Sequence, residues 1–399
     1  MTPSVKTAVM LLKFSLFDPE HRRTDEYIFP KDTDWEEVFL ELKAQACVPM
    51  TRPMLDYLPI EGDLKKKWEG ACIRNYRKYL IIDHFQNRIA ESFRKEKIEF
   101  AVLKGTSAAM YQTFPQNRTM GDIDILVKEG TFDRALQCLL DIGFTVNEDN
   151  SELYRRHTGL KKEGIEVELH RFFASTETEK DDIALNDFLD GELERAGERK
   201  VGEFSFYPFE ELTNGIVILN HVKHHLRSAL GFRQIIDFIM FADRVLTDEV
   251  WEQSFAPLAE RFGLKKLAEA VGRVGQKFFG LSDELHWCKN CEESVADDLF
   301  GLILKMGNFG RKSTYRSSNI ISSAKSSRGL FKRFRYEYLS GLGHWKAAQK
   351  HPILRPLAFF YGVGRHAWIL VSRKHAVKEL KADYYEVKEQ VGLLESLGL

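Results

Sequence analysis

In the stretch Gly121-Asp122-Ile123-Asp124-Ile125-Leu126-Val127, acids alternate with branched apolar residues. This is the period of a strand, whose successive side chains point to opposite faces. Asp122 and Asp124 therefore share one face, and Ile123 and Ile125 share the other. The apolar face requires a core behind it. The acidic face carries two carboxylates that repel each other, so it requires a cation or a retained proton. A chain containing this strand must build a packed layer on one side of a sheet and a compensated anionic site on the other.

The flanking sequence supplies the rest of such a sheet. Residues 98–104 (IEFAVLK) read as a strand, Gly105 opens a turn, and Thr106 to Tyr111 read as a short helix. Phe114 to Met120 form a loop containing Pro115 and Arg118. A helix runs from Gly130-Thr131 to Asp141, with Phe132, Ala135, Leu136, Leu139 and Leu140 expected inward, and Gly143 closes it as a C-terminal cap. Phe144 to Val146 begin another strand. Residues 152–161 and 165–172 pair as a hairpin around Lys162-Glu163-Gly164. In its second arm Glu166, Glu168 and His170 share one face, with Val167 and Leu169 on the other. This is a second strand with a carboxylate face, and either glutamate can supply a third acid.

Helical periodicity dominates elsewhere. Residues 5–17 form a short helix, and Asp34-Trp35-Glu36-Glu37 fits an N-cap with a carboxylate three residues on. From Asp63 to Lys95, Trp68, Cys72, Tyr76, Tyr79, Ile82 and Phe85 recur at spacings of three and four. Residues 176–190 are polar, 200–207 suit a small hairpin, and 210–310 are helical. The expected organisation is an N-terminal helical region (1–97), a catalytic core (98–175), a helical domain (176–310) and a basic helical C-terminal region (311–399). The fold class is α+β: a small mixed sheet flanked by helices, with an N-terminal helical cap and a C-terminal helical bundle.

Charge is unevenly placed. The formal net charge is −1, but residues 311–380 hold fifteen Lys/Arg against Glu337 and Glu379. The remainder therefore carries −14, and the basic region is a candidate for an anionic partner. The five cysteines, odd in number and mostly scattered, suit a reducing compartment, so a cytoplasmic location is expected. Cys288-Lys-Asn-Cys291 has only His286 as a nearby further ligand and reads as two half-buried thiols rather than a zinc site. Lys13 interrupts the apolar N-terminus and no small-residue cleavage site follows, so no signal peptide is expected. No run reaches the ~18 apolar residues of a transmembrane helix.

A turn after a strand, Asp-x-Asp on the next strand and a carboxylate on a later one suit nucleotidyl transfer. A triphosphate brings concentrated negative charge, and two magnesium ions about 3.5–4 Å apart clamp the attacking and leaving oxygens. Such ions need hard, shared oxygen ligands. The Gly105-Thr106 turn offers backbone N–H groups and a hydroxyl for phosphate, and Lys104 and Arg118 are the nearby cations. His170 would bind phosphate or orient Glu168. His221, His224 and His225 read as helix-packing histidines, and Asp237 as a cap or internal salt-bridge partner.

The segments LKGTSAAMY, RTMGDIDILV, VELHRFF and HVKHH followed by FRQIIDFIMFADR, in this order, resemble the uncharacterised bacterial nucleotidyltransferase family of the polymerase-β-like superfamily. The resemblance spans roughly residues 35 to 245. It implies Asp122, Asp124 and Glu168 as ligands of Mg²⁺ (or Mn²⁺) and transfer of a nucleoside monophosphate from an NTP, ATP foremost, with release of pyrophosphate. It selects Glu168 over Glu166 because the family's carboxylate stands just before Leu-His. The stretch between Gly105-Thr106 and Asp122 is longer than the superfamily's usual spacing. The acceptor (sugar, small molecule, protein or RNA) is not implied. The alternative expectation is a module of this fold that binds nucleotide, RNA or a protein partner without turnover.

Overall fold

The computed structural model describes residues 1–17, 29–30, 32–147, 156–174, 180–226, 230–308, 351–372 and 392–399, with isolated positions between 334 and 348. The chain divides into two compact units. One comprises residues 1–148, 156–314 and 397–399, and the second residues 149–155 and 315–396.

Helices and a mixed sheet build the first unit. α1 (Pro3–Phe17), α2 (Trp35–Ala44) and α3 (Gly62–Lys95) precede β1 (Phe100–Leu103) and the five-residue α4 (Gly105–Ala109). Next come β2 (Ile123–Val127), α5 (Phe132–Asp141), β3 (Thr145–Val146), β4 (His157–Lys162) and β5 (Ile165–His170). α6 (Lys180–Glu192), the hairpin β6 (Arg199–Val201) and β7 (Phe204–Phe206), then α7 (Glu211–Leu226) and α8 (Phe232–Val245) follow. Further helical segments continue to Met306. The five-stranded sheet has the order β1-β2-β5-β4-β3. Only β2 and β5 pair in parallel; the other neighbours are antiparallel. This is the mixed α+β architecture expected from the sequence.

The local reasons are legible. Asp34 accepts a hydrogen bond from the Glu37 N–H and so caps α2. Gly143, at φ 93°, takes the left-handed turn that ends α5. Glu163 (φ 48°) and Gly164 (φ 77°) both sit in the left-handed region, as a two-residue type I′ hairpin turn demands. That turn sets the β4–β5 register, pairing Lys162 with Ile165 and His157 with His170.

One side of the sheet is the core. Ile123, Ile125, Val127, Val167 and Leu169 pack with Tyr79, Ile82, Phe85, Ile89 and Phe93 of α3 and with Phe132, Ala135, Cys138 and Leu139 of α5. α3 is thus the layer behind the strands. Burying side chains of this size contributes about 1.5–3 kcal/mol each. Two details of the helical stripes differ from the periodicity. Tyr76 is 42% exposed, because the buried stripe of α3 passes through Cys72, Asn75 and Tyr79. Leu140 is also solvent-facing, because Cys138 and Leu139 hold the inner face of α5. Asn75 faces inward because its side-chain amide donates to the backbone carbonyls of Gln116 (2.9 Å) and Arg118 (3.3 Å). It thereby anchors the loop that leads into β2.

In the second unit, Leu342, Ala348 and Ala358 form a small buried cluster with Tyr338, Trp345 and Leu354 against it. The basic stretch Arg311–Arg328 lies outside the described residues. Among the described residues, no helix is long and apolar enough to cross a membrane.

Candidate active site

The other side of the sheet carries the acids. The parallel β2–β5 register sets Asp124 beside Glu168, and Asp122 stands just ahead of β2. One carboxylate oxygen from each of Asp122, Asp124 and Glu168 lies within 4.8 Å of the others. Asp124 is 3% exposed; Asp122 and Glu168 are half-buried. Glu166, the other acid of β5, is exposed and opposes Lys161.

Two groups compensate the buried Asp124. The Lys104 ammonium is 2.8 Å from Asp124 Oδ1. The same oxygen is 3.0 Å from His170 Nε2. Lys104 reaches it because β1 ends there, opposite Asp124 in the antiparallel register, and the chain turns sharply: Lys104 itself has φ 52° and Gly105 φ 37°. Burial alone would push the Asp124 carboxyl up, but Lys104 and His170 outweigh it and hold it well below the ordinary carboxylate range. Asp122 behaves oppositely. Burial first, then the charge of Asp124, raise its carboxyl above the ordinary value, with Lys104 only partly opposing. The site therefore has room for further positive charge at Asp122. Its donors are hard carboxylate oxygens from two adjacent strands. That donor set fits Mg²⁺ or Mn²⁺.

The remaining expected residues fall around this group in different states. Gly105 lies against the Asp122 carbonyl: a Cβ there would come within 3.7 Å of it. The Thr106 hydroxyl is buried and donates to Gln86 Oε1 at 2.5 Å. It ties α4 to α3. Arg118 is 2% exposed, and its guanidinium closes on Asp237 of α8 through Nε–Oδ1 (2.7 Å) and Nη2–Oδ2 (2.6 Å). Asp237 is thus an internal salt-bridge partner. Arg233 of α8 donates to the Thr119 carbonyl at 3.0 Å. α8 clasps the loop before β2 from the site's flank.

Two residues near the acids, His157 and Arg156, are not singled out by the alternation of the acidic strands. His157 lies across β4 from His170, with ring centroids 4.8 Å apart, and 3.5 Å from Glu168 Oε1. The two-residue Glu163-Gly164 turn would have placed it there by register alone. Burial depresses the basicity of Arg156, and the charges of Glu168, Asp124 and Asp182 partly offset the effect. On α7, His221 and His225 meet through their Nε2 atoms at 2.8 Å. Burial, then the neighbouring His225, and then Lys104 push the His221 imidazole well below its ordinary basicity. All five cysteines are free thiols. Burial pushes Cys288 up to about 12 and Cys291 up to about 11, and the His286 imidazole is taken by Asp248 at 2.7 Å.

A mixed sheet that sets two aspartates of one strand beside a glutamate of its parallel neighbour, with a lysine-glycine turn against them, belongs to the nucleotidyltransferase class. The chain is a member of the family described as uncharacterised nucleotidyltransferase, whose model matches residues 31–280. No curated protein matches the chain.

Proposed function

We propose that the chain transfers a nucleoside monophosphate from an NTP, with ATP as the first candidate, to a hydroxyl or phosphate acceptor and releases pyrophosphate. The observation that supports this most is the Asp122, Asp124 and Glu168 group, together with membership of a nucleotidyltransferase family. Asp122, Asp124 and Glu168 would hold Mg²⁺ or Mn²⁺, which when bound would polarise the phosphate and offset its charge.

The chain's own groups take the following roles. Asp122, unstable as an anion when alone, gives the site its demand for a cation. Asp124, kept ionised by Lys104 and His170, would be the second ligand. Lys104 supplies the ammonium nearest to incoming phosphates, and the Gly105-Thr106 turn brings backbone close to them without a side chain in the way. Glu168 is the carboxylate that accepts the acceptor's proton. His170 holds Asp124 and Glu168 in place. Arg118 acts on the site through Asp237, by fixing the loop that presents Asp122.

The direct experiment offers the purified full chain each of the four labelled NTPs with Mg²⁺ or Mn²⁺ and cell extract, and follows label and pyrophosphate. Label transferred to a defined small molecule, RNA or protein, with one pyrophosphate per transfer, supports the proposal. Pyrophosphate release and transfer that persist undiminished in Asp122→Asn would refute the assignment.

A further inference from the structure

We infer that His157, His170 and one carboxylate, Glu168, form a site for a borderline divalent ion such as Zn²⁺ or Co²⁺. It lies next to the all-carboxylate group and shares Glu168 with it. The ligand atoms of these three residues lie within 4.8 Å of one another. They are placed by three separate features of the fold: the alternation of β5 puts Glu168 and His170 on one face, the hairpin register sets His157 opposite His170, and Gly159, opposite Glu168, leaves the space over that carboxylate free of a side chain.

His170 Nε2 is 3.3 Å from Glu168 Oε2 and His157 Nε2 is 3.5 Å from Glu168 Oε1. His170 Nε2 is also 3.0 Å from Asp124 Oδ1, a contact that a bound ion would replace; its separation from Glu168 is longer. A charge-assisted hydrogen bond would be shorter, about 2.7–2.9 Å. Two ligands each about 2.0–2.1 Å from one tetrahedral ion lie ~3.4 Å apart, which is the separation found. The second nitrogens, Nδ1 of His157 and of His170, are buried and have no hydrogen-bond partner among the described residues. His170 is 1% exposed. Each imidazole thus has the carboxylates as its polar neighbours, and both point Nε2 at them.

Two imidazoles and a carboxylate select differently from three carboxylates. Nitrogen donors suit Zn²⁺, Co²⁺ or Ni²⁺, whereas the Asp122, Asp124 and Glu168 set suits hard ions. Two histidines and a glutamate leave a tetrahedral ion one open position. Because Glu168 belongs to both groups, an ion on the histidine side competes for it with Mg²⁺ on the aspartate side. This inference stands on the histidines and holds independently of nucleotidyl transfer.

The test is a titration of the metal-free full chain with Co²⁺, read by visible absorption and by displacement with Zn²⁺, in the parent, His157→Gln, His170→Gln and Asp122→Asn. The expected result is one tightly held Co²⁺, at least about tenfold weaker in each histidine variant and unchanged in Asp122→Asn. His157 is partly exposed, so His157→Gln remains informative if the buried His170→Gln fails to fold. Binding that is undiminished in His157→Gln, or lost equally in Asp122→Asn, overturns the inference and places the ion among the aspartates. Asp122→Asn read with Mg-ATP tests the carboxylate group separately, so failure of one reading is distinguishable from failure of the other.

Discussion

Lys104 Nζ and Asp124 Oδ1 are 2.8 Å apart at the meeting of β1 and β2, with Asp124 almost wholly buried. The ammonium compensates a carboxylate that burial would otherwise leave bare. Asp122, two residues away and on the same face, has no such partner at contact distance among the described residues. The pair of aspartates is therefore asymmetric: one is neutralised by the protein and the other is left largely uncompensated.

The asymmetry predicts stability changes of opposite sign. Asp124→Asn leaves Lys104 and His170 without their shared anion and should cost about 3 kcal/mol. Asp122→Asn removes a carboxylate whose ionisation is unfavourable in the folded chain, and should raise the melting temperature of the metal-free protein by about 2 °C. Thermal unfolding of both variants beside the parent, in chelator, decides this. Destabilisation of both by similar amounts would contradict it.

The same asymmetry sets a pH dependence. The folded Asp122 carboxyl lies above its ordinary value of 3.8, so the folded state holds that proton more tightly than the unfolded chain. Its contribution to stability falls as pH rises from 3.8 through the raised value. Asp124, held below 3.8, contributes stability above that pH and loses it as pH falls further. Stability of the metal-free parent and of Asp122→Asn, measured from pH 4 upward, should therefore diverge, the variant gaining on the parent as pH rises. Parallel curves would contradict the assignment.

Lys104 competes with a cation for Asp124 and attracts phosphate. Lys104→Met should bind Mg²⁺ alone more tightly and Mg-ATP about tenfold more weakly, the loss of one charge-assisted contact. Calorimetric titrations with each, under one buffer, test both directions.

The Arg118–Asp237 pair, each partner 2% exposed, ties the loop before Asp122 to α8. Asp237→Ala strands a buried guanidinium and should cost about 3–5 kcal/mol, whereas the double variant Arg118→Met, Asp237→Leu should recover most of it. Denaturant unfolding of single and double variants measures the difference.

How much of this was legible in the chain varies by element. The faces of β2 and β5 followed from alternation, because the strand period is two and admits no ambiguity of face. The caps at Asp34 and Gly143 followed from local chemistry. The partnership of Arg118 with Asp237 did not, because the two are 119 residues apart and nothing local distinguishes a buried structural arginine from one that binds phosphate. His157 sits between these cases. Its strand is irregular in hydrophobic pattern, but the Glu163-Gly164 turn determines its register and hence its place opposite His170. The stripes read for α3 and α5 wrongly included Tyr76 and Leu140, because a period of 3.6 leaves one position per turn undecided until the neighbouring layer is known.

Isothermal titration of the full chain with Mg-ATP, in the parent and in Asp122→Asn, tests directly whether the carboxylate group holds a metal–nucleotide. Asp122→Asn is the suitable variant because it is expected to fold at least as stably as the parent, so lost binding cannot be ascribed to unfolding. Saturable binding by the parent, dependent on the divalent ion, is expected, with at least about a tenfold loss in the variant. Binding of Mg-ATP by Asp122→Asn equal to that of the parent would contradict it.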